Sequence, residues 1–358
     1  HNRNLWAKNF RNEIIKKSNL PIIKQSVNLE LTNHELPKFF YDSTPCPYRQ
    51  KGGSVEAEKL LQSFLNKRGE NYQFEMSSPI TAEKSCSRLS THLTYGTISH
   101  SAVFQEATKK RDQIKNTNKN FAKSINSFLS RLHWRSHFIQ KLEDQPSIEH
   151  TSFIPVYDQI REKDEEKLEA WIEGKTGVHF IDACMIYLRN YGWINFRMRA
   201  MLASFASYNL WLDWRYFAPR LAALFTDFEP GIHYSQIQMQ SGTTGINTIR
   251  MYNPYKQAMD QDPLAKFIKS QIPKVKNFPP AFFHNPPKKS LNVNLFDNEF
   301  QKEIINVKET AQYARKKIFD IRKSQEHKIL AKNVYLKHGS RGRAVSYTHL
   351  RAHETRRY

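Results

Sequence analysis

Cysteine is scarce in this chain and never clustered. Cys46, Cys86 and Cys184 are the three present, and no two form a Cys-x-x-Cys pair. That spacing argues against a disulfide framework and against a local zinc or iron–sulfur motif, and it points to a reducing, cytoplasmic home. Long apolar runs are missing too, so no segment approaches the roughly 18 residues needed to cross a bilayer. The opening HNRNLWAKNF has neither an initiator Met nor the apolar core of a signal peptide, which reads as a start that has been lost. Strand signals are sparse: there is no sustained alternation, no hairpin dipeptide between alternating apolars, and no internal repeat. Acidic residues are outnumbered, 34 Asp+Glu against 55 Lys+Arg, for a net charge of +21.

A nucleotide-hydrolase loop is absent as well, although WIEGKTG invites the comparison. A P-loop needs a glycine five residues before its Gly-Lys and a hydrophobic strand leading in. Here Glu169 holds the glycine position and the lead-in is REKDEEKLEA, charged at nearly every residue. Such a stretch suits an exposed helix and cannot be a buried parallel strand.

What is present is basic and helical. The last residues, GRAVSYTHLRAHETRRY, break with the preceding composition and read as a non-native tail over 342–358. Removing it takes away Arg343, Arg351, Arg356 and Arg357 against Glu354, so the net charge falls from +21 to +18 and the excess survives. A field of that sign favours a polyanionic partner, nucleic acid above all.

Residues 1–53 are mixed in character and punctuated by proline, and read as a linker. From Ser54 helices dominate. SVEAEKLLQSFLNKRG places Val55, Leu60, Leu61, Phe64 and Leu65 on one face, with Gly69 as a stop. KSINSFLSRLHWRSHFIQKL repeats Ile125, Phe128, Leu129, Leu132 and Phe138 at helical spacing. IDACMIYLRNYGW reads as a helix ending near Gly192, and FRMRAMLASFASYNLWLDW as a buried helix, apolar almost all round. NEFQKEIINVKETAQYARKKIFDIRKSQEHKIL (298–330) reads as one long charged helix with a narrow apolar seam at Ile304, Val307, Ala311, Ala314, Ile318 and Ile321, within a charged helical stretch at 286–341. The fold class is all-α.

Three segments in order resemble the flavin-binding domain of the photolyase/cryptochrome family. SCSRLSTHLTYGTIS (85–99) is similar to the family's Thr-Ser-x-Leu-Ser-x-x-Leu-x-x-Gly pattern. It is followed by the block from WIEGKTG to NLWLDWR and by the block from LFTDFEPGIHYSQIQMQSG to FIKSQIP. The resemblance implies a two-lobed helical FAD-binding and catalytic domain over 54–285. It also implies a charged C-terminal extension over 286–341, and an upstream α/β antenna domain, with its own pigment, from which 1–53 would be the linker. It implies a monomer that needs no metal and acts on UV-damaged DNA away from any membrane.

The resemblance assigns cofactor contacts to Tyr72, Ser87, Arg88, Leu89, Ser90, Arg135, Arg199, Asp227, Glu229 and His233. Hydroxyls and backbone N–H groups at a helix start can hold a diphosphate without a lysine. A fixed guanidinium at Arg199, balanced by Asp227, can stabilise an anionic reduced flavin. His233 stands where repair enzymes usually carry Asn beside the flavin N5, and an imidazole can exchange a proton there near neutral pH. Catalytic roles fall to Trp134, Arg199, Asp227, His233 and Trp214. DNA and lesion contacts fall to Arg131, Trp134, Phe196, Arg197 and Met239.

Several positions depart from the family pattern. Cys86 replaces a Thr, Ile237 the tryptophan that passes the first electron to the flavin, and Met239 the next aromatic of that segment. Trp214 matches the middle member of that chain, the outer member has no counterpart near Arg161, and Trp211, Tyr208 and Tyr234 are candidate substitutes. Arg131 replaces a Glu and Phe196 an Asn that contact the dimer in familiar enzymes. The paired histidines of (6-4) photoproduct enzymes are absent, with Asn195 and Phe196 in that neighbourhood. The expectation is a light-driven, FAD-dependent lyase that splits cyclobutane pyrimidine dimers. The alternatives are a cryptochrome-like photoreceptor and a flavin-free helical nucleic-acid module.

Overall fold

The computed structural model describes residues 46–285 and 302–339. Most of the expected linker, the start of the expected C-terminal extension and the expected non-native tail lie outside these residues.

The chain enters as a turn that docks on the end of a later helix, with Tyr48 N–H donating to Asn190 O (2.9 Å). Helix α1 (Ser54–Ser63) follows and runs into a single wide turn, Phe64–Arg68, that closes on Gly69. Leu61, Phe64 and Leu65 of the expected face are buried, but Val55 is 67% exposed, because the first turn projects past its packing partners. Next come α2 (Tyr72–Glu75), α3 (Pro79–Ser85), α4 (Ser90–Thr94), α5 (His100–Ile114) and α6 (Lys119–Asp144). A smaller core forms here from Leu61, Phe64, Tyr72, Val103, Ile125 and Phe128.

With 26 residues, α6 is about 39 Å long and joins the two lobes. Its first half closes the smaller core through Ile125, Phe128, Leu129 and Leu132, as the periodicity predicts, and through Phe121 one turn earlier. Beyond Phe138 it crosses α11 (Pro230–Ser241) at Gly231, where a Cβ would fall 2.7 Å from Ile139 Cα. Only glycine permits that approach, which sets the first turn of α11 against α6.

The larger core is built from α7 (Glu165–Ile172), α8 (His179–Tyr191), α9 (Phe196–Ser204), α10 (Trp214–Ala222), α11, α12 (Pro254–Gln261), α13 (Lys266–Gln271) and α14 (Pro280–His284). Helix α8 ends at Gly192, which takes left-handed backbone (φ 64°). The expectation of one helix from Phe196 through Trp214 is corrected. α9 gives way to a wide turn over Phe205–Asn209, Trp211 takes left-handed backbone (φ 58°), and Leu212 pairs with Glu162 in an isolated parallel bridge. Asp213 then caps a new helix by accepting from Arg215 N–H (2.9 Å).

The single C-terminal helix is corrected likewise. α15 (Val307–Lys323) and α16 (Gln325–His338) are separated at Ser324, whose backbone is extended and whose hydroxyl accepts from His327 N–H (3.2 Å). Of the expected seam, Val307, Ala314 and Ile318 are buried, whereas Ile304 is 39% exposed ahead of the helix. The pair closes over a third apolar cluster that includes Ile154, Tyr157 and Tyr208.

Candidate functional site

The Gly-Lys-Thr-Gly loop between α7 and α8 has its own anion. Asp182 accepts from Thr176 N–H (2.9 Å), Thr176 Oγ1 (2.6 Å) and Gly177 N–H (2.9 Å). Burial pushes this carboxyl up to about 6, against the lowering effect of those bonds. Gly177 (φ 79°) lies so close to residues 302 and 303 that a Cβ would meet Lys302 O at 2.5 Å. The donors that would cradle a phosphate are taken, and the loop packs against backbone.

The expected flavin site gathers around the start of α11. In the first turn of α9, Arg199 donates from Nε to Ile194 O (2.7 Å) and from both Nη atoms to Asp227 (3.0 and 2.8 Å). The Asp227 side chain is 3% exposed and that of Arg199 26%. This bidentate pair fixes the cation while leaving part of it open to a ligand. Phe225 lies under the guanidinium at 4.2 Å.

Two residues on, Glu229 accepts from Arg135 Nη2 (3.2 Å), which also reaches Leu93 O (3.3 Å). Arg135 thereby ties α6 to α4 and to the start of α11. Burial lowers its pKa, and Glu229 opposes that.

His233 follows, packed against the rings of Phe225, Phe228 and Tyr234. Its Nε2 lies 2.9 Å from Ala218 O, a partner that only accepts, so Nε2 carries the hydrogen. Burial pushes the imidazole down to about 4. The expectation that it exchanges a proton near neutral pH is corrected, because the ring stays neutral through that range.

The Ser87–Ser90 segment is shaped by Arg68, which donates to the carbonyls of Lys84 (2.8 Å), Cys86 (2.6 Å) and Ser87 (3.2 Å). Arg88 takes left-handed backbone (φ 62°) and lays its guanidinium 3.9 Å from the Trp193 ring. Gln50 pairs with it, donating to Arg88 O (2.9 Å). Leu89 holds the N-cap position of α4 and buries its side chain in the smaller core, while Ser90 is the first helical residue. Tyr72 is buried edge-on to Phe64 (5.6 Å). Burial raises its pKa and the neighbouring Arg131, which is itself exposed, opposes that shift.

Of the expected lesion contacts, Phe196 is 52% exposed at the start of α9. Trp134 is half-buried and stacks on Phe138 (5.5 Å). Arg197 Nε and Asn195 Oδ1 are buried polar atoms with no partner among the described residues. The Asn195 amide donates to Met76 O (3.1 Å) and Ser77 O (2.8 Å). Trp214 is fully buried, its indole N–H donating to Ser152 Oγ (2.9 Å), and its ring lies 6.3 Å from Tyr234. Met239 is half-buried on α11, about 9 Å along the axis from His233.

The structure therefore brings Arg199, Asp227 and His233 together, pairs Arg135 with Glu229, and sets Arg131 beside Tyr72. Arg68, Gln50 and Thr226 went unforeseen. Thr226 meets Gly192 O through N–H (2.9 Å) and hydroxyl (3.0 Å) and lies 3.3 Å from Thr91. Only the cationic end of NKRG marked Arg68, and nothing in the sequence linked it to residues 84–87.

A part-open guanidinium, buried unpaired polar atoms at Asn195 and Arg197, and aromatic walls suit a ligand that is both anionic and flat. A family profile described as the FAD binding domain of DNA photolyase matches residues 128–327, more than half of the chain. The chain belongs to this family. FAD is accordingly its cofactor. A deoxyribodipyrimidine photo-lyase of Streptomyces griseus is 29% identical over 241 residues, covering 67% of this chain and 50% of that protein. Cryptochrome-2 of Arabidopsis thaliana is 31% identical over 245 residues, covering 65% of this chain and 39% of its own length. The crystal structure of an archaeal photolyase from Sulfolobus tokodaii with two FAD molecules superposes with a TM-score of 0.60 at 29% identity, over 76% of this chain and 57% of that one. The chain spans about half the length of the curated relatives it matches.

Proposed function

We propose that this chain is the flavin-holding, DNA-facing part of a light-driven lyase that splits cyclobutane pyrimidine dimers. The observation that carries the reading is the Arg199–Asp227 pair, two hydrogen bonds of 3.0 and 2.8 Å within a FAD-binding family. When bound, reduced and illuminated, FAD supplies the electron that opens the dimer and receives it back. Arg199 holds positive charge beside the ring system without moving, because Asp227, Ile194 O and Phe225 fix it. Neutral His233 presents Nδ1 as an acceptor, since Nε2–H is committed to Ala218 O. Serines 87 and 90, with Arg135, are assigned to the diphosphate side. Excess positive charge draws the duplex, Arg131 and Arg197 meet phosphates, and Phe196 and Trp134 give flat apolar surfaces on which a flipped dinucleotide stacks.

A second reading, a cryptochrome-like photoreceptor without repair, is favoured by one position. Ile237 is buried on α11 where an aromatic electron donor is expected. The two readings part in one experiment: the FAD-loaded chain is illuminated under reducing conditions with a thymine-dimer oligonucleotide while the ultraviolet absorbance of restored thymine is followed. Recovery supports the lyase. Bound flavin without recovery rejects it in favour of the photoreceptor.

A further inference from the structure

Beside the third apolar cluster, under α15 and α16, lie two guanidiniums that form no ion pair with a carboxylate among the described residues. Arg161 is 7% exposed; it donates from Nε to Ser207 O (2.9 Å) and from Nη2 to Ser241 O (2.8 Å), and lies against the rings of Trp211 (4.9 Å) and Tyr208 (5.5 Å). Those carbonyls supply partial negative charge but no formal countercharge. The carboxylate that bears on it is Asp213, which is engaged by Arg215 at 2.5 Å. Arg322, from the last turn of α15, donates to Asn247 O (2.7 Å) and acts electrostatically on both Tyr157 and Tyr208. Burial raises both phenols, Tyr208 to about 12, so neither supplies a tyrosinate against the two cations.

The same neighbourhood holds orphaned donors. Arg161 Nη1, Arg322 Nε and the hydroxyls of Ser207, Tyr208 and Ser241 are buried and have no hydrogen-bond partner among the described residues. The two nitrogens can only donate, and the hydroxyls can rotate to do so. A buried, unbalanced guanidinium surrounded by apolar side chains costs several kcal/mol.

We propose that this cluster is a binding site for a small inorganic anion of halide size, held by Arg161 Nη1, Arg322 Nε and the hydroxyls around them. The chemistry follows from the donor set: every free group can donate, and an anion supplies the missing charge where a water cannot. The surroundings are crowded and favour a small anion. The Tyr208 hydroxyl lies 2.4 Å from where a Cβ on Gly242 would stand, and Ile154 is closer still to that of Gly245. Because Arg161 belongs to the loop before α7 and Arg322 to α15, the anion fastens the C-terminal helix pair to the core. This inference does not depend on the flavin reading.

Bromide gives the direct test. Crystals of the full chain grown with bromide in place of chloride should show an anomalous peak in contact with Arg161 Nη1. A water there, or a carboxylate of the chain itself, overturns the proposal. In solution the melting temperature should be higher in millimolar chloride than in gluconate at equal ionic strength. Tyr208→Phe, which deletes one donor at nearly constant volume, should reduce that shift, and Ser241→Ala should do the same. Equal melting in the two salts, or a shift seen only at molar halide as for an adventitious ion, overturns it as well.

Discussion

Arg199 and Arg161 are both removed from bulk water, yet they are balanced in different ways. Arg199 meets a buried carboxylate in a bidentate pair and keeps 26% of its side chain exposed, whereas Arg161 is 7% exposed and its hydrogen-bond partners among the described residues are two carbonyl oxygens. A cation that must face a ligand is fixed by a partner on its far side, leaving the near side free. A cation that only joins segments takes the carbonyl ends of a helix and a turn. On the proposed readings, FAD chemistry lies at the junction of α9 and α11, and the arginine beneath α15 is a structural clamp completed by a small anion.

Removing the carboxylate makes the first site resemble the second, and this is the largest expected effect. Asp227→Ala strips Arg199 of its countercharge, and loss of one partner from such a pair costs about 3 kcal/mol, discounted somewhat for the exposed cation. The purified variant should lose FAD absorbance and melt earlier, whereas unchanged flavin content would break the comparison. Gly231→Ala strikes the scaffold instead: its Cβ would stand 2.7 Å from Ile139 Cα, so α6 and α11 must separate, at a cost of about 2 kcal/mol. A denaturant midpoint measures this, and weaker FAD binding should accompany it because Glu229 and His233 move with α11.

Arg161→Met sharpens the contrast from the other side. It deletes two hydrogen bonds and the first ligand of the proposed anion together with a buried charge, so the effects oppose and the net loss should be about 1 kcal/mol. FAD stoichiometry should stay at the wild-type value. If flavin is lost instead, the second arginine is no mere clamp.

Acid gives the next prediction. The folded-state pKa of His233 is depressed to about 4 from its ordinary 6.5, so its contribution is whole above about pH 6.5 and is lost as pH falls toward 4. Asp182 runs the other way: raised to about 6, it favours the fold at low pH and loses that contribution as pH rises through 6. The histidine term is on the order of 3 kcal/mol and the larger of the two. Melting temperature should therefore fall between pH 7 and pH 5, and His233→Gln should flatten that fall. The smallest effect belongs to Lys175→Ala: with the loop N–H groups held by Asp182 and the lysine exposed, stability should move by less than about 0.5 kcal/mol and FAD binding not at all.

Periodicity made α6 and α8 legible from sequence, because a helix that buries one face must repeat apolar residues every three to four positions. Gly192 was legible as a stop for the same local reason. The break at Ser324 is hidden because no Gly or Pro marks it and the cap depends on one hydroxyl and an extended backbone. Trp211 lies in a stretch of helical composition, and composition alone does not reveal a left-handed residue. Within the site, Arg199 and Asp227 were found through resemblance; their 28-residue separation carries no spacing rule of its own. Arg68 and Gln50 escaped notice because their contacts are to backbone carbonyls, which leave no trace in side-chain identity. Neutral His233 could be known only from its burial and its bond to Ala218 O.

The central claim is that the Arg199–Asp227 pair holds FAD in this chain. Titrating FAD into the purified wild-type protein and into Asp227→Ala, with flavin fluorescence as the signal, tests it most directly. Saturation at one FAD per chain in the wild type, with at least a tenfold loss of affinity in the variant, equivalent to about 1.4 kcal/mol, is the predicted result. Equal affinity in the two proteins, or no saturable binding to the wild type, would contradict it.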